Sequence, residues 1–446
     1  MKSIILSVRK QFNDLVKIIY VDPEERFIKL DDGTTMSIQN ISFSVDMILY
    51  LLLSQYFKKI KIKFGGELKD LRISFFLILA SRMGKGQLIK VVEEVGKNLS
   101  LRIKRVSYIN QASLIGSLNE KIIELNLKKR LKEGDKNYRN PVMYGALFNS
   151  DILIFPEAKK LVKGASENET EFILSTLQEA LDYPGLINKE LKYTEFPITY
   201  ESTVSILATT YWITDIVSLL IEQGFFQRTP TYKAEYDLET IKILRGKIIE
   251  MYRDSNTKKD FKQEAKQFSL LILNLNNEER ILEFTNEAVT RLHDFNTAFF
   301  DRLGKISGKQ LEILKSFSQT IIDMVIRISG INCCLRSDKK VSLSDVNSSI
   351  VIFNVYLNVI IEQLVTDSDE KKKGKIEELI MLIITYYKKY LVEFTKMPSK
   401  TELLNYCKIK GMPGNKTFNL LGKMEKENYF IFIDEKNKRL LKLNEE

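Results

Sequence analysis

The sequence predicts an α/β fold built around a phosphate-binding loop: a parallel sheet flanked by helices, then a helical lid and a C-terminal winged helix. Three observations predict it. Residues 73–98, ISFFLILASRMGKGQLIKVVEEVGKN, pass from an apolar strand through a short glycine loop into an amphipathic helix. Two later apolar strands end in residues suited to the same sheet edge: residues 151–158 (DILIFPEA) reach Glu157, and residues 203–210 (TVSILATT) end in hydroxyls. Residues 376–446 follow the order helix, helix, turn, helix, hairpin.

The 446 residues are enough for two or three domains, and 44% hydrophobic with 28% charged residues is the balance of a soluble globular chain. No run of eighteen apolar residues is present, so no membrane partner is expected. The opening MKSIILSVRKQ has too short an apolar stretch for a signal peptide. Cys333, Cys334 and Cys407 lack zinc-ligand spacing, and adjacent cysteines seldom bridge, which points to a reducing, cytoplasmic compartment. One histidine, His293, leaves no room for a histidine-based zinc site or a Ser-His-Asp triad, and its helical context reads as packing or surface. No metal-ligating residues are assigned. The net charge of +10 is uneven: from Lys371 to Glu446, 17 Lys and Arg face 10 Asp and Glu, a surplus of seven. A basic terminal module points to a polyanion, nucleic acid first, or to a solvated lysine-rich surface.

Taken in order, residues 1–42 read as a small β-hairpin unit, with IIYVDPEERFIKL and a DDG turn before TTMSI. Residues 44–59 carry helical spacing. The α/β core is expected over residues 43–237. Its strand–loop–helix unit places Arg82, Met83, Gly84, Lys85, Gly86 and Gln87 around the phosphates, where backbone N–H groups at a helix N-terminus bind anions and a lysine reaches the outer ones. The motif departs from a Walker A loop: Leu79 stands at the first glycine, and Gly86 at the magnesium-binding hydroxyl. In the acidic strand Glu157 takes the catalytic-glutamate position, Pro156 replaces the preceding aspartate, and Asp151 lies too far back to substitute. Arg228 closes a helix–turn segment, GFFQR, as a surface residue or as a finger reaching a neighbouring subunit's nucleotide. Residues 238–366 read as helices throughout, a lid, and residues 367–375 as a charged linker. In residues 376–446 Ser399 caps the second helix. The third, bearing Lys416, would enter a major groove, while Lys436, Lys438 and Arg439 on the wing meet phosphate.

Together these segments resemble the AAA+ ATPase half of the minichromosome maintenance family of replicative helicases, over roughly residues 40–446. QYFKKIKIKFGG from Gln55 is similar to the family's helix and Phe-Gly-Gly before the P-loop strand. KGQLIK from Lys85 resembles Lys-Ser-Gln-Leu-Leu-Lys, and ASLIGSL from Ala112 its Ser-Ala-x-Gly-Leu-Thr. GALFNSDILIFPEAKKL from Gly145 resembles the Gly-Ala-Leu run into Walker B, and LQEALDYPG from Leu177 the helix before the presensor hairpin. In the lid, SGKQLEIL from Ser307 and VSLSDV from Val341 are similar to its Arg-Gln-Leu-Glu and Val-Thr-x-x-Asp segments.

The resemblance implies ATP with Mg2+ as ligands, DNA as partner, a homo-oligomeric hexameric ring, and room for other replication proteins. Lys85 would contact the β- and γ-phosphates, Glu157 polarise the attacking water, and Arg228 act in trans. Lys309 sits at the sensor-2 arginine, keeping charge but losing the bidentate fork. Residues 120–140, with Lys128, Lys129 and Arg130, fall at the helix-2 insert, and Lys189 at the presensor hairpin tip; each reads as a DNA-gripping pore element or a solvated loop. Thr210 or Tyr211 replaces the sensor-1 asparagine, both protein contacts to magnesium are missing, and the family's N-terminal half is absent. Two functions therefore stand open: a DNA motor of a virus or plasmid type, or a hydrolysis-deficient DNA-binding initiator or scaffold.

Overall fold

The computed structural model describes residues 2–20, 27–29, 35–37, 42–79, 84–106, 110–130, 135–137, 142–158, 167–189, 198–210, 228–234, 241–242, 245–246, 249, 260–303, 309–359, 399–409, 430–435 and 438–443. They fall in two compact units, Met1–Ile361 and Glu362–Glu446.

The first unit opens on a helix, α1 (Lys2–Lys17), followed by a short antiparallel hairpin of β1 (Phe27–Lys29) and β2 (Thr35–Ser37). This corrects the reading of residues 1–42 as hairpin alone. Ile5, Val8, Phe12, Leu15 and Val16 recur at helical spacing and are all buried. The Phe12 ring meets Phe268 at 5.2 Å between centroids, and Arg9 Nε donates to Asp46 Oδ1 at 2.8 Å. α2 (Phe43–Tyr56) starts where Ser42 Oγ accepts from Val45 N, and every residue in it is buried, as an all-round apolar helix must be. The hairpin of β3 (Lys61–Phe64) and β4 (Glu67–Asp70) turns on Gly65 and Gly66, both at positive φ.

The main sheet starts with β5 (Phe75–Leu79), which feeds α3 (Lys85–Asn98) and then β6 (Ile103–Arg105). An excursion follows: α4 (Gln111–Leu114), β7 (Gly116–Leu118), α5 (Glu120–Lys128), and β8 (Val142–Tyr144), which pairs back onto β7. After α6 (Ala146–Asn149) comes β9 (Ile152–Phe155), then α7 (Glu167–Leu181) and an antiparallel hairpin of β10 (Leu186–Lys189) and β11 (Ile198–Glu201). β12 (Ser205–Thr210) and β13 (Thr231–Ala234) complete a five-stranded, all-parallel sheet in the order β13-β5-β12-β9-β6. Every residue of β5, β9 and β12 is buried, which is what a parallel sheet covered on both faces by helices requires. The fold is α/β and compatible with the P-loop class.

The stretch read as helices throughout contains two strands. β14 (Ile281–Phe284) and β15 (Lys340–Val341) join β3 and β4 in a four-stranded sheet ordered β15-β14-β3-β4. β14 buries Leu282 between exposed Ile281 and Glu283, a period of two that four residues express too briefly to read from sequence. Around it stand α8 (Phe261–Leu273), α9 (Asn286–Leu303), α10 (Lys309–Leu335) and α11 (Leu343–Val359). α10 is tied inward by polar contacts: Tyr50 Oη donates to Asn332 Oδ1 at 2.9 Å, and Arg336 pairs with Asp345. His293 is exposed on α9.

In the second unit Ser399 and Glu402 form a capping box at α12 (Lys400–Ile409): Ser399 N donates to Glu402 Oε2, and Glu402 N to Ser399 Oγ. β16 (Phe430–Glu435) and β17 (Lys438–Leu443) pair antiparallel over six positions. The helices expected at 376–394 and 415–427, Lys416 among them, lie outside the described residues, as does Lys436. No helix among the described residues is long and apolar enough to cross a membrane.

α1 is core, so Phe12→Ala is expected to lower stability by about 3–5 kcal/mol. Urea denaturation checks this, and a loss of only a few tenths would mean α1 is an appendage.

Candidate nucleotide site

Parallel strands present ligands at their carboxyl edge, at the point where successive connections leave in different directions. β5 lies at that point. β6, its successor, is three positions away, so α3 crosses β12 and β9 and its N-terminus is left at the edge. Gly84 precedes α3 in the left-handed region, φ 88°, and no side chain caps this terminus. Glycine is required there twice over. A β-carbon would be strained at that φ, and it would fall 2.5 Å from Cε2 of the Tyr20 ring, itself buried.

Lys85 begins the helix half-buried, and its ammonium donates to the carbonyl of Leu79 at 3.0 Å. The side chain thus folds back over the loop. Burial lowers the Lys85 pKa, while the negative charge of Glu157 pulls it upward. Glu157 is exposed in the turn after β9. That turn is pinned to β12, because Thr209 Oγ1 donates to Pro156 O and Ala158 N to Thr209 O, both at 2.8 Å. Thr210 ends β12 in register with Ile78 of β5, one position beyond the pair Thr209 and Leu77. Lys85, Glu157 and Thr210 therefore gather at one edge, held by three adjacent strands.

The residues present suit polyphosphate better than magnesium. Gly86 is exposed and carries no hydroxyl, although open space surrounds the position of a β-carbon there. Pro156 stands where a second carboxylate would bind metal. Asp151 does not replace it. It sits at the opposite end of β9, 2% exposed, accepting from Lys58 at 2.8 Å and from Arg102 at 3.0 Å. Burial raises its pKa, but hydrogen bonds from Arg102 and Lys58 outweigh that and hold it low.

The other expected residues scatter. Gln87 is exposed in the first turn of α3, its N–H bonded to Gly84 O at 3.0 Å. Arg82 and Met83 lie outside the described residues. Arg228 precedes β13 at the amino edge of the sheet, where it is paired with Asp182 at 2.7 and 3.1 Å. Five residues of β5 span about 17 Å, so Arg228 is remote from its own chain's Lys85. Lys309 opens α10. Lys189 is drawn back onto α7, 2.6 Å from Glu179 Oε1 and 5.4 Å from the Phe172 ring centre, rather than extended from a hairpin tip. Lys128, Lys129 and Arg130 are exposed at the end of α5. In β17, Lys438 stands opposite Glu435 and Arg439 opposite Asp434. Cys333 and Cys334 are buried free thiols, and burial pushes Cys334 up to about 12.

Sequence reasoning missed Tyr20 and the clasp of Thr209 on Pro156. Neither has a local signal: Tyr20 follows α1, far from the loop it covers, and a strand-end threonine is ordinary. No family model matches the chain, and no curated protein matches it.

Gly84→Ala is expected to cost about 1–3 kcal/mol through backbone strain and the Tyr20 contact. Adding Tyr20→Ala should recover only part of the loss in thermal unfolding, since the φ penalty remains. Wild-type stability of the single variant would contradict the geometry.

Proposed function

We propose that this chain is an ATP-binding protein of the AAA+ type, similar to the minichromosome maintenance ATPases, that works on DNA as a ring-forming motor. One observation carries the reading. Lys85 heads the helix after β5 while Glu157 leaves β9, with β12 between them, so a cation for phosphate and a base for water face the same edge. In such a site Lys85 and the N-terminus of α3 hold the phosphates, and Glu157 orients and deprotonates water. Thr210 lies between them, at the place of a γ-phosphate sensor. Arg228, too far from its own site, suits a role toward a neighbouring subunit, and the hexameric ring is taken from the resemblance. Exposed Lys128, Lys129 and Arg130, and the basic strand with Lys438 and Arg439, suit DNA phosphate. The winged-helix character of the second unit, and a cytoplasmic location, belong to this proposal.

A second reading rests on Gly86 and Pro156, which supply no protein contact to magnesium. In it the chain is a DNA-binding initiator or scaffold that uses nucleotide only to hold subunits together.

Steady-state ATP hydrolysis, with and without single-stranded and duplex DNA, separates the two. The motor reading expects DNA-stimulated turnover, abolished by Lys85→Ala and reduced by about 100-fold or more in Glu157→Gln. Gly86→Thr, for which space exists, should raise turnover by restoring the hydroxyl. Equal inertness of wild type, Glu157→Gln and Gly86→Thr would end the motor reading and leave the scaffold.

A further inference from the structure

The amino edge of the same sheet carries a cavity of about 440 Å3. Lys69 of β4, Arg72 before β5, Arg228 before β13, and Thr320, Asp323 and Arg327 of α10 contribute to its wall. This is within the range of small-molecule sites and far larger than packing voids.

One of its buried polar groups lacks a partner among the described residues. Two buried guanidinium groups, Arg72 at 5% exposure and Arg327 at 9%, share one buried carboxylate, Asp70 at 3%. Arg72 is satisfied. Its Nε donates to Asp70 Oδ2, Nη1 to the carbonyls of Ala180 and Ser202 at 2.9 and 2.8 Å, and Nη2 to Asp182 O at 3.0 Å. Arg327 is not. Nη1 donates to Asp70 Oδ1 and to Arg72 O, both at 2.6 Å, but its buried Nε has no acceptor among the described residues. Other charged groups of the wall include two ion pairs, Lys69 with Asp323 at 2.6 Å and Arg228 with Asp182 at 2.7 Å, and the carboxylate of Glu67. Arg327 is thus paired but keeps one unmet donor, and leaving a buried N–H without a partner is costly. Asp70 stays ionised between the two guanidinium groups: burial raises its pKa, yet Arg327 and Arg72 outweigh burial and hold it below the ordinary value.

We propose that this cavity binds a small organic oxyanion, a phosphate monoester or a carboxylate, on the Nε–Nη2 edge of Arg327. A guanidinium edge of this kind carries two parallel N–H groups, the geometry that matches two oxygens of one oxyanion, and a small shift of the side chain would bring the buried Nε to the ligand. The cavity volume leaves room for the organic part. The ligand would also bridge α10 to the β3–β4 hairpin, whose Lys69 stands beside Asp323. The site lies at the opposite edge from Lys85 and does not depend on the nucleotide reading.

The test uses the full chain carrying Lys85→Ala, so that the glycine loop cannot account for binding. Inorganic phosphate, glycerol phosphate and malonate are titrated separately by calorimetry. Saturable binding of one molecule per chain is expected for at least one probe, and the tightest probe distinguishes phosphate from carboxylate. Arg327→Lys, which keeps charge but loses the fork, should weaken it about tenfold or more. Lys69→Met removes a cation from the wall and should weaken it as well; if Arg327→Lys does not fold, this variant decides. Absence of saturable binding by all three probes, or unchanged affinity in the deciding variant, would overturn the proposal.

Discussion

The structure of the first unit depends on the seating of β12 between β5 and β9. Its six residues are buried and pair with both neighbours, so the ends of three strands are brought level at one edge. Lys85 and Glu157 are separated by more than seventy residues of chain, including the long excursion through α5. They meet because β12 spaces their strands, and because Thr209 binds the carbonyl of Pro156. Without that clasp the Glu157 turn would be an ordinary exposed loop. The site is thus a property of the sheet, and the loops only decorate it.

At the other edge the sheet is joined to the helical region by charge rather than by apolar packing alone. Asp70 ties β4, Arg72 and α10 together, while Arg336 and Asp345 tie α10 to α11 and Arg9 and Asp46 tie α1 to α2. Buried ion pairs contribute little net stability, but removing one partner strands the other, so they specify which surfaces meet. α10 is therefore fixed in rotation against the sheet, and any role of its first residue, Lys309, would depend on that fixation.

What could be read from sequence follows the range of the interaction. The strand–loop–helix unit at Lys85 was legible because its hydrophobic run, glycines and amphipathic helix are contiguous. Glu157 was legible because an apolar strand ends beside it, and Ser399 because a capping box is local. α1 was misread as part of a hairpin: the isoleucines, tyrosine and valine after Lys17 suggested a strand, although the apolar spacing from Ile5 to Val16 is helical. β14 and β15 escaped notice because such short strands owe their existence to their partners and not to their own sequence: β14 pairs with β3, over 200 residues earlier, and β15 with β14. The same holds for Tyr20 on Gly84 and for Arg327 on Asp70, 257 residues apart. Lys189 reads from sequence as a pore lysine or part of a solvated loop, and its contacts with Glu179 and Phe172 on the preceding helix have no local signal.

Whether the edge formed by β5, β12 and β9 takes a nucleotide is decided by a crystal structure of the full chain with a non-hydrolysable ATP analogue. The triphosphate is expected against the N-terminus of α3, with the Lys85 ammonium moved from Leu79 O to the outer phosphates and Glu157 facing the terminal one. An analogue bound elsewhere, or an α3 terminus left without phosphate while Lys85 stays on Leu79, would contradict that expectation.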